Sequence, residues 1–272
     1  MHLAQLGLSA PQCLAKDLTN GFLLLEDLGD DIYARLIEAE PRLESSLYAA
    51  ATAVLAHLQA SPPAKDLPNL TATDWAEAAC FAVDWYRFAI TGGHADLSDF
   101  RGAMADALAR HADGPRVMIL RDYHAENLLW LPDRHGIARV GLLDFQLAQL
   151  GQPGYDLVSL LQDARRDVSR ETELGMIRHF LGLTGVSDAA FRPAYAVLGA
   201  QRALRILGVF ARLCLHGAKP GYVALLPRVW QQLQRNLAAP ELSKLAQICA
   251  RLLPEPTPEA LAKIGAQCGL FR

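Results

Sequence analysis

The chain has 272 residues, of which 51% are hydrophobic and 20% charged, with a formal net charge of -3. That balance supports a sizeable core and excludes a disordered chain, and the length suits one large domain or two unequal lobes. Acids and bases are interspersed, which excludes a dedicated nucleic-acid surface or an anionic-membrane surface, since either needs a concentrated basic patch.

Cys13, Cys80, Cys214, Cys249 and Cys268 lie far apart with no C-x-x-C pair. Structural zinc is therefore not expected, and free thiols in a reducing, cytoplasmic setting are. The first residues lack the basic-then-apolar pattern of a secretion signal. The apolar run from Tyr195 to Leu215 is broken by Gln201, Arg202, Arg205 and Arg212, which makes it too polar to span a bilayer.

In chain order, residues 1 to 27 read as a small strand lobe. A helix tail over Met1 to Leu6 is followed by a strand from about Gln12 to Asp17 and a Thr19-Asn20-Gly21 hairpin turn. Gly29-Asp30-Asp31 is predicted to cap a helix starting near Ile32. Helices are predicted over about 43 to 60, 73 to 91 and 97 to 112, the first two separated by Ser61-Pro62-Pro63 and Pro68-Asn69. Three short strands follow, Arg116 to Leu120, Leu128 to Leu131 and Ile137 to Phe145, the last two joined by the turn-forming Pro132 to Gly136. Helices resume near 155, with breaks near Gly182 to Ser187, Gly217 to Pro220 and Pro254 to Pro258. Trp130 and Trp230 read as core residues. The predicted fold class is α+β, a small β lobe over residues 1–28 and a large, mainly helical lobe over 29–272. A small β insert at 115–149 carries the functional loop.

The polar pattern in that insert is the most specific feature of the chain. Leu120-Arg121-Asp122-Tyr123-His124-Ala125-Glu126-Asn127 is followed by Leu142-Leu143-Asp144-Phe145-Gln146. An acid, an amide five positions on, and a second acid at the end of an apolar run suit phosphoryl transfer. That reaction needs an attacking hydroxyl held in line and phosphate charge neutralised. Asp122 suits the base, while the Asn127 and Asp144 oxygens suit magnesium, a hard cation that prefers oxygen ligands. A lone Asp-x-x-x-x-Asn pair is also common loop composition. The second acid sharpens the reading, because burying Asp144 beside Leu142, Leu143 and Phe145 is costly without a metal or hydrogen-bond partners.

These residues resemble the aminoglycoside phosphotransferase and choline kinase family, distant relatives of protein kinases. Leu120 to Leu129 resembles its catalytic loop, Asp144-Phe145-Gln146 its metal-binding acid, and Gly151 to Asp163 the segment that follows. Leu23-Leu24-Leu25-Glu26-Asp27-Leu28-Gly29-Asp30 resembles the hinge whose backbone meets the adenine. The motifs, with the run Gln201 to Leu215 and Lys219-Pro220-Gly221-Tyr222, are similar to bacterial kinases that phosphorylate the anomeric hydroxyl of N-acetylmuramate and N-acetylglucosamine in cell-wall recycling. The resemblance runs from about Leu8 to Leu237. It implies a protein kinase-like fold, ATP or GTP with Mg2+ as cofactors, Asp122 as base, Asn127 and Asp144 as metal ligands, and Glu26, Asp27 and Leu28 at the nucleotide. It also implies supporting roles for His124 and Asp156. Leu120 departs from the His often found two positions before the base.

The family's Gly-rich loop and strand lysine do not occur before Leu23, and Lys16 sits too close to the hinge-like segment to replace that lysine. A start at an internal Met of a longer product and a true truncation both explain this. For the acceptor, Asp84 and Trp85 offer a sugar a carboxylate and an aromatic face, and Arg202 offers a cation. An aromatic core face and an internally paired arginine explain the same residues. Two functions follow: a Mg2+-assisted kinase for a small molecule, most simply an amino sugar but also an aminoglycoside- or choline-type acceptor, and a non-catalytic kinase-like binding or regulatory protein without the phosphate clamp.

Overall fold

Turn residues cut the chain into short strands and interrupted helices, described over residues 2–271 in a computed structural model. In order these are α1 (His2–Gln5), β1 (Cys13–Asp17), β2 (Phe22–Leu25), α2 (Tyr33–Ala39), α3 (Glu44–Ala60), α4 (Ala72–Ala79), α5 (Phe88–Thr91) and α6 (Ser98–His111). They continue with β3 (Val117–Ile119), β4 (Leu128–Trp130), β5 (Val140–Leu142), β6 (Gln149–Gly151), α7 (Tyr155–Leu161), α8 (Arg170–Thr184) and α9 (Asp188–Leu215). The last helices are α10 (Leu226–Leu237), α11 (Ser243–Leu252) and α12 (Pro258–Ala266). The chain forms two compact units, one built from the residues up to Asn69 with Arg116–Asp188, the other from Leu70–Pro115 with the residues from Ala189 on.

The first unit holds three antiparallel strand pairs, β1 with β2, β3 with β6 and β4 with β5. Leu128 faces Leu142 and Trp130 faces Val140, so Asn127 and Leu143 leave the same end of one ladder, where the Leu143 amide donates to the Asn127 carbonyl at 3.0 Å. Gly151 pairs with Val117, and a side chain there would overlap Ile119. α3 buries Leu47, Tyr48, Ala51, Val54, Leu55 and Leu58, and every residue of α7 is buried.

In the second unit α4 opens with a capping box between Thr71 and Asp74. Ala82–Arg87 is a π-helical turn, in which the Phe88 amide reaches back to the Val83 carbonyl. Gly208 of α9 lies against it so closely that a Cβ would collide with the Phe81 backbone. Tyr86 in that turn donates to the Pro254 carbonyl at 2.7 Å.

Several expectations need correction. The helix predicted over 73 to 91 is three pieces, because a π turn uses the same helix-forming residues and leaves no mark in the periodicity. The strand predicted over Ile137 to Phe145 is a 3-10 turn at Gly136–Arg139 followed by the short β5. No side chain caps α2: Asp27 accepts from the Gly29 amide instead, and Asp31 serves through its backbone carbonyl, which accepts from Trp130 at 2.8 Å. Trp130 and Trp230 are half-buried, Trp130 under the Arg139 guanidinium at 5.3 Å and Trp230 in the wall of a cavity of about 690 Å³. Among the described residues, no helix is long and apolar enough to cross a membrane.

Candidate active site

A buried acid braces the start of the loop between β3 and β4. Asp156, 1% exposed at the start of α7, accepts the Leu120 amide at 2.6 Å and the Arg121 amide at 2.9 Å. Arg121 adopts a left-handed backbone (φ 74°), a strained region for a non-glycine residue. The strain persists because three contacts fix the residue: the Asp156 bond, the Ser159 hydroxyl on its carbonyl at 3.3 Å, and its guanidinium 3.4 Å from Gln149 Oε1. The result is a sharp turn that delivers Asp122 next. Tyr123 is buried and donates to the Ala51 carbonyl at 2.8 Å, anchoring the loop to α3.

Asn127 closes the loop. Its Nδ2 donates to the Asp122 carbonyl at 2.8 Å and lies 3.4 Å from Asp144 Oδ2 and 3.3 Å from His124 Nε2. Asp144 also has a positive φ, 54°, at the turn after β5, and Gln146 donates to its Oδ1. The carboxylate is exposed, so the burial cost expected from its apolar neighbours does not arise. The Asn127 side chain thus links the Asp122 backbone, His124 and Asp144, and Asp156 braces the residues just before Asp122.

Glu26 ends the hairpin, where its backbone amide donates to the Gln12 carbonyl at 2.8 Å and its carboxylate pairs with Arg134 at 2.7 Å. Asp27 and Leu28 line a cavity of about 290 Å³ with Gly29 to Asp31 and Trp130 to Arg134. Asp84, Trp85 and Arg202 lie in the second compact unit. Desolvation, and then Glu77, holds the Asp84 carboxyl above the usual carboxylate range. Trp85 packs edge-on to His216 with the Arg212 guanidinium 5.7 Å from its ring, and Arg202 is buried on α9.

The sequence reading missed Arg165, which pairs with Glu126 at 2.8 Å and lies 3.4 Å from His124 Nε2. It missed Ser159 and Gln146 as well. Only Gln146 carries a local signal, since it follows the second acid by two positions.

The family model of the phosphotransferase enzyme family (APH) matches residues 1–197. The chain belongs to this family. Within it, the chain is 44% identical over 263 residues to the N-acetylmuramate/N-acetylglucosamine kinase of Caulobacter vibrioides, covering 92% of this chain and 72% of that one. A choline/ethanolamine kinase family protein from Mesorhizobium loti superimposes with a TM-score of 0.61 at 17% identity, covering 97% of this chain and 79% of that one. The ADP-bound aminoglycoside phosphotransferase APH(2'')-Ib gives 0.54 at 14% identity, covering 86% and 78%. The fold is therefore the α+β, protein kinase-like fold of the family, and the chain is of the small-molecule kinase class.

Proposed function

We propose that the protein transfers the γ-phosphate of ATP to a hydroxyl of an amino sugar of the N-acetylmuramate and N-acetylglucosamine type. The observation that carries the chemistry is the position of Asn127, whose side-chain amide lies 2.8 Å from the Asp122 carbonyl and 3.4 Å from the exposed Asp144 carboxylate, so that the two side chains suited to the metal meet beside the residue suited to be the base. The donor set is all oxygen, which fits magnesium. Among the described residues no cluster of three or more His, Cys, Asp or Glu gathers to cage a metal. Magnesium needs none, because it takes one or two protein oxygens and completes its shell with phosphates and water.

In this reading Asn127 and Asp144 hold the ion, which supplies charge neutralisation at the phosphates. Asp122 orients the acceptor hydroxyl and accepts its proton. His124 and Asp156 keep the loop in shape. Glu26, Asp27 and Leu28 present backbone to the nucleotide base. Residues 1–28 are the nucleotide lobe's share of the chain, and 29–272 the lobe that carries the loop. Asp84, Trp85 and Arg202 are proposed acceptor contacts, supported by the desolvated carboxyl of Asp84, a feature that perturbed functional groups share. The amino-sugar acceptor follows the 44% identical kinase. A cytoplasmic setting suits an ATP-dependent reaction.

The test offers the purified protein ATP and Mg2+ with N-acetylmuramate, N-acetylglucosamine, choline or an aminoglycoside, and follows phosphate transfer to each. Transfer to the amino sugars is expected. Transfer to choline or the aminoglycoside alone overturns the acceptor, and ATP binding with no transfer to any of them favours a regulatory, non-catalytic role.

A further inference from the structure

Arg165 and Arg166 are consecutive residues in the loop between α7 and α8, yet their side chains do different jobs. Arg166 turns toward α3, where it donates to the Tyr48 hydroxyl at 2.8 Å and to Glu44 Oε2 at 3.1 Å. The other Glu44 oxygen accepts from Thr172 at 2.9 Å, in the first turn of α8. The Arg165 amide donates to Asp163 Oδ1 at 2.8 Å. The loop is thus pinned before, at and after Arg165, and its guanidinium is delivered to a fixed place.

That place is the far wall of the catalytic loop. Nε pairs with Glu126 Oε2 at 2.8 Å, and NH1 lies 3.4 Å from His124 Nε2. The same ring nitrogen is 3.3 Å from the Asn127 amide nitrogen. Both neighbours of Nε2 are nitrogen donors, which Nε2 can accept. Arg165 therefore grips Glu126, the residue before Asn127, and orients the ring against which the Asn127 amide rests. We propose that Arg165 is a positioning residue for phosphoryl transfer, holding through His124 and Glu126 the Asn127 side chain in its place beside Asp144. The proposal rests on Asn127 as a metal ligand. It predicts an effect out of proportion to stability, because a part-exposed ion pair adds little to folding, whereas partners that orient metal ligands change affinity or rate by about 10–100-fold.

The experiment compares the full chain with Arg165→Gln, Arg165→Lys and Glu126→Gln. Mn2+ stands in for Mg2+, and its affinity is read from the electron paramagnetic resonance signal of the free ion. Melting temperature, kcat and acceptor KM are measured alongside. Arg165→Gln is expected to weaken Mn2+ binding and lower kcat by about 10-fold or more, with acceptor KM and melting temperature nearly unchanged. Arg165→Lys keeps a charge for Glu126 without the fork that reaches both partners, so it recovers part of the loss. Unchanged Mn2+ affinity with a raised acceptor KM makes Arg165 an acceptor contact and overturns the proposal. No change in any readout reduces it to a surface ion pair. A parent chain that neither binds Mn2+ nor transfers phosphate removes the reading of Asn127 itself, a failure distinct from the other two.

Discussion

The β1–β2 hairpin and the loop from Leu120 to Asn127 belong to one compact unit and are held in opposite ways. The hairpin is rich in large apolar residues, yet both strands are exposed, with Phe22 at 69% and Leu24 at 59%. Its own ladder and a few contacts at Gln12 and Glu26 hold it. The loop is rich in polar residues, yet Tyr123 and His124 are 2% and 4% exposed. Its fixed points come from distant segments: Asp156, Ser159, Ala51 and Arg165. Apolar content alone therefore does not confer rigidity, and polar groups matched across the fold do. Regions with few buried contacts open locally at low cost, and those with many open only near global unfolding.

The largest effect is expected at Asp156. Asp156→Ala leaves one buried and one part-buried amide without their acceptor, a loss of about 2–5 kcal/mol, seen as a lower denaturation midpoint. A loss below about 0.5 kcal/mol would show that the loop is not held from beneath. In the hairpin, Phe22→Thr with Leu24→Thr should stay within about 0.5 kcal/mol per site and reduce aggregation, because the exposed apolar face shrinks. A drop of several kcal/mol would mean that this face is packed, and the contrast would fail.

Asp84 supplies a smaller effect with a defined pH sign. Its carboxyl is raised by desolvation, so the folded chain holds the proton more tightly than the unfolded one. Its contribution favours folding below the ordinary carboxylate range and is lost as pH rises through the folded value. Asp84→Asn should melt slightly higher than the parent at pH 7, and the gap should close near pH ~4. A gap that widens on acidification contradicts this sign. Smallest is a labelling difference. Cys13 is exposed in the hairpin, while burial pushes the Cys80 thiol up to about 11 and that of Cys249 up to about 12. A disulfide reagent at neutral pH should react promptly at Cys13 and reach Cys80 and Cys249 only on unfolding.

Much of the architecture was legible because its causes are local. Pro132 and Gly136 mark the turn between β4 and β5, and Asn20-Gly21 marks the turn of the first hairpin. The spacing of Asp122 and Asn127 and the acid after an apolar strand pointed to the loop. What stayed hidden depends on contacts between distant residues. Arg165 reaches His124 across 41 positions, and nothing in its neighbourhood distinguishes it from Arg166. The π turn at Ala82–Arg87 arises where α9 approaches through Gly208, which no local pattern announces. The α2 cap is missing because the apolar Ile32 takes the N-cap position, and upstream Asp27 closes a local turn onto the Gly29 amide, which Asp side chains favour.

Asp122 offers the most direct test of the central claim. With ATP, Mg2+ and an amino-sugar acceptor, 31P NMR should show a sugar phosphate forming with the parent chain, and Asp122→Asn should slow its formation by about 10²–10⁴-fold without changing the melting temperature. Sugar phosphate formed at the parent rate by the folded Asp122→Asn variant would contradict the assignment of that carboxylate as the base.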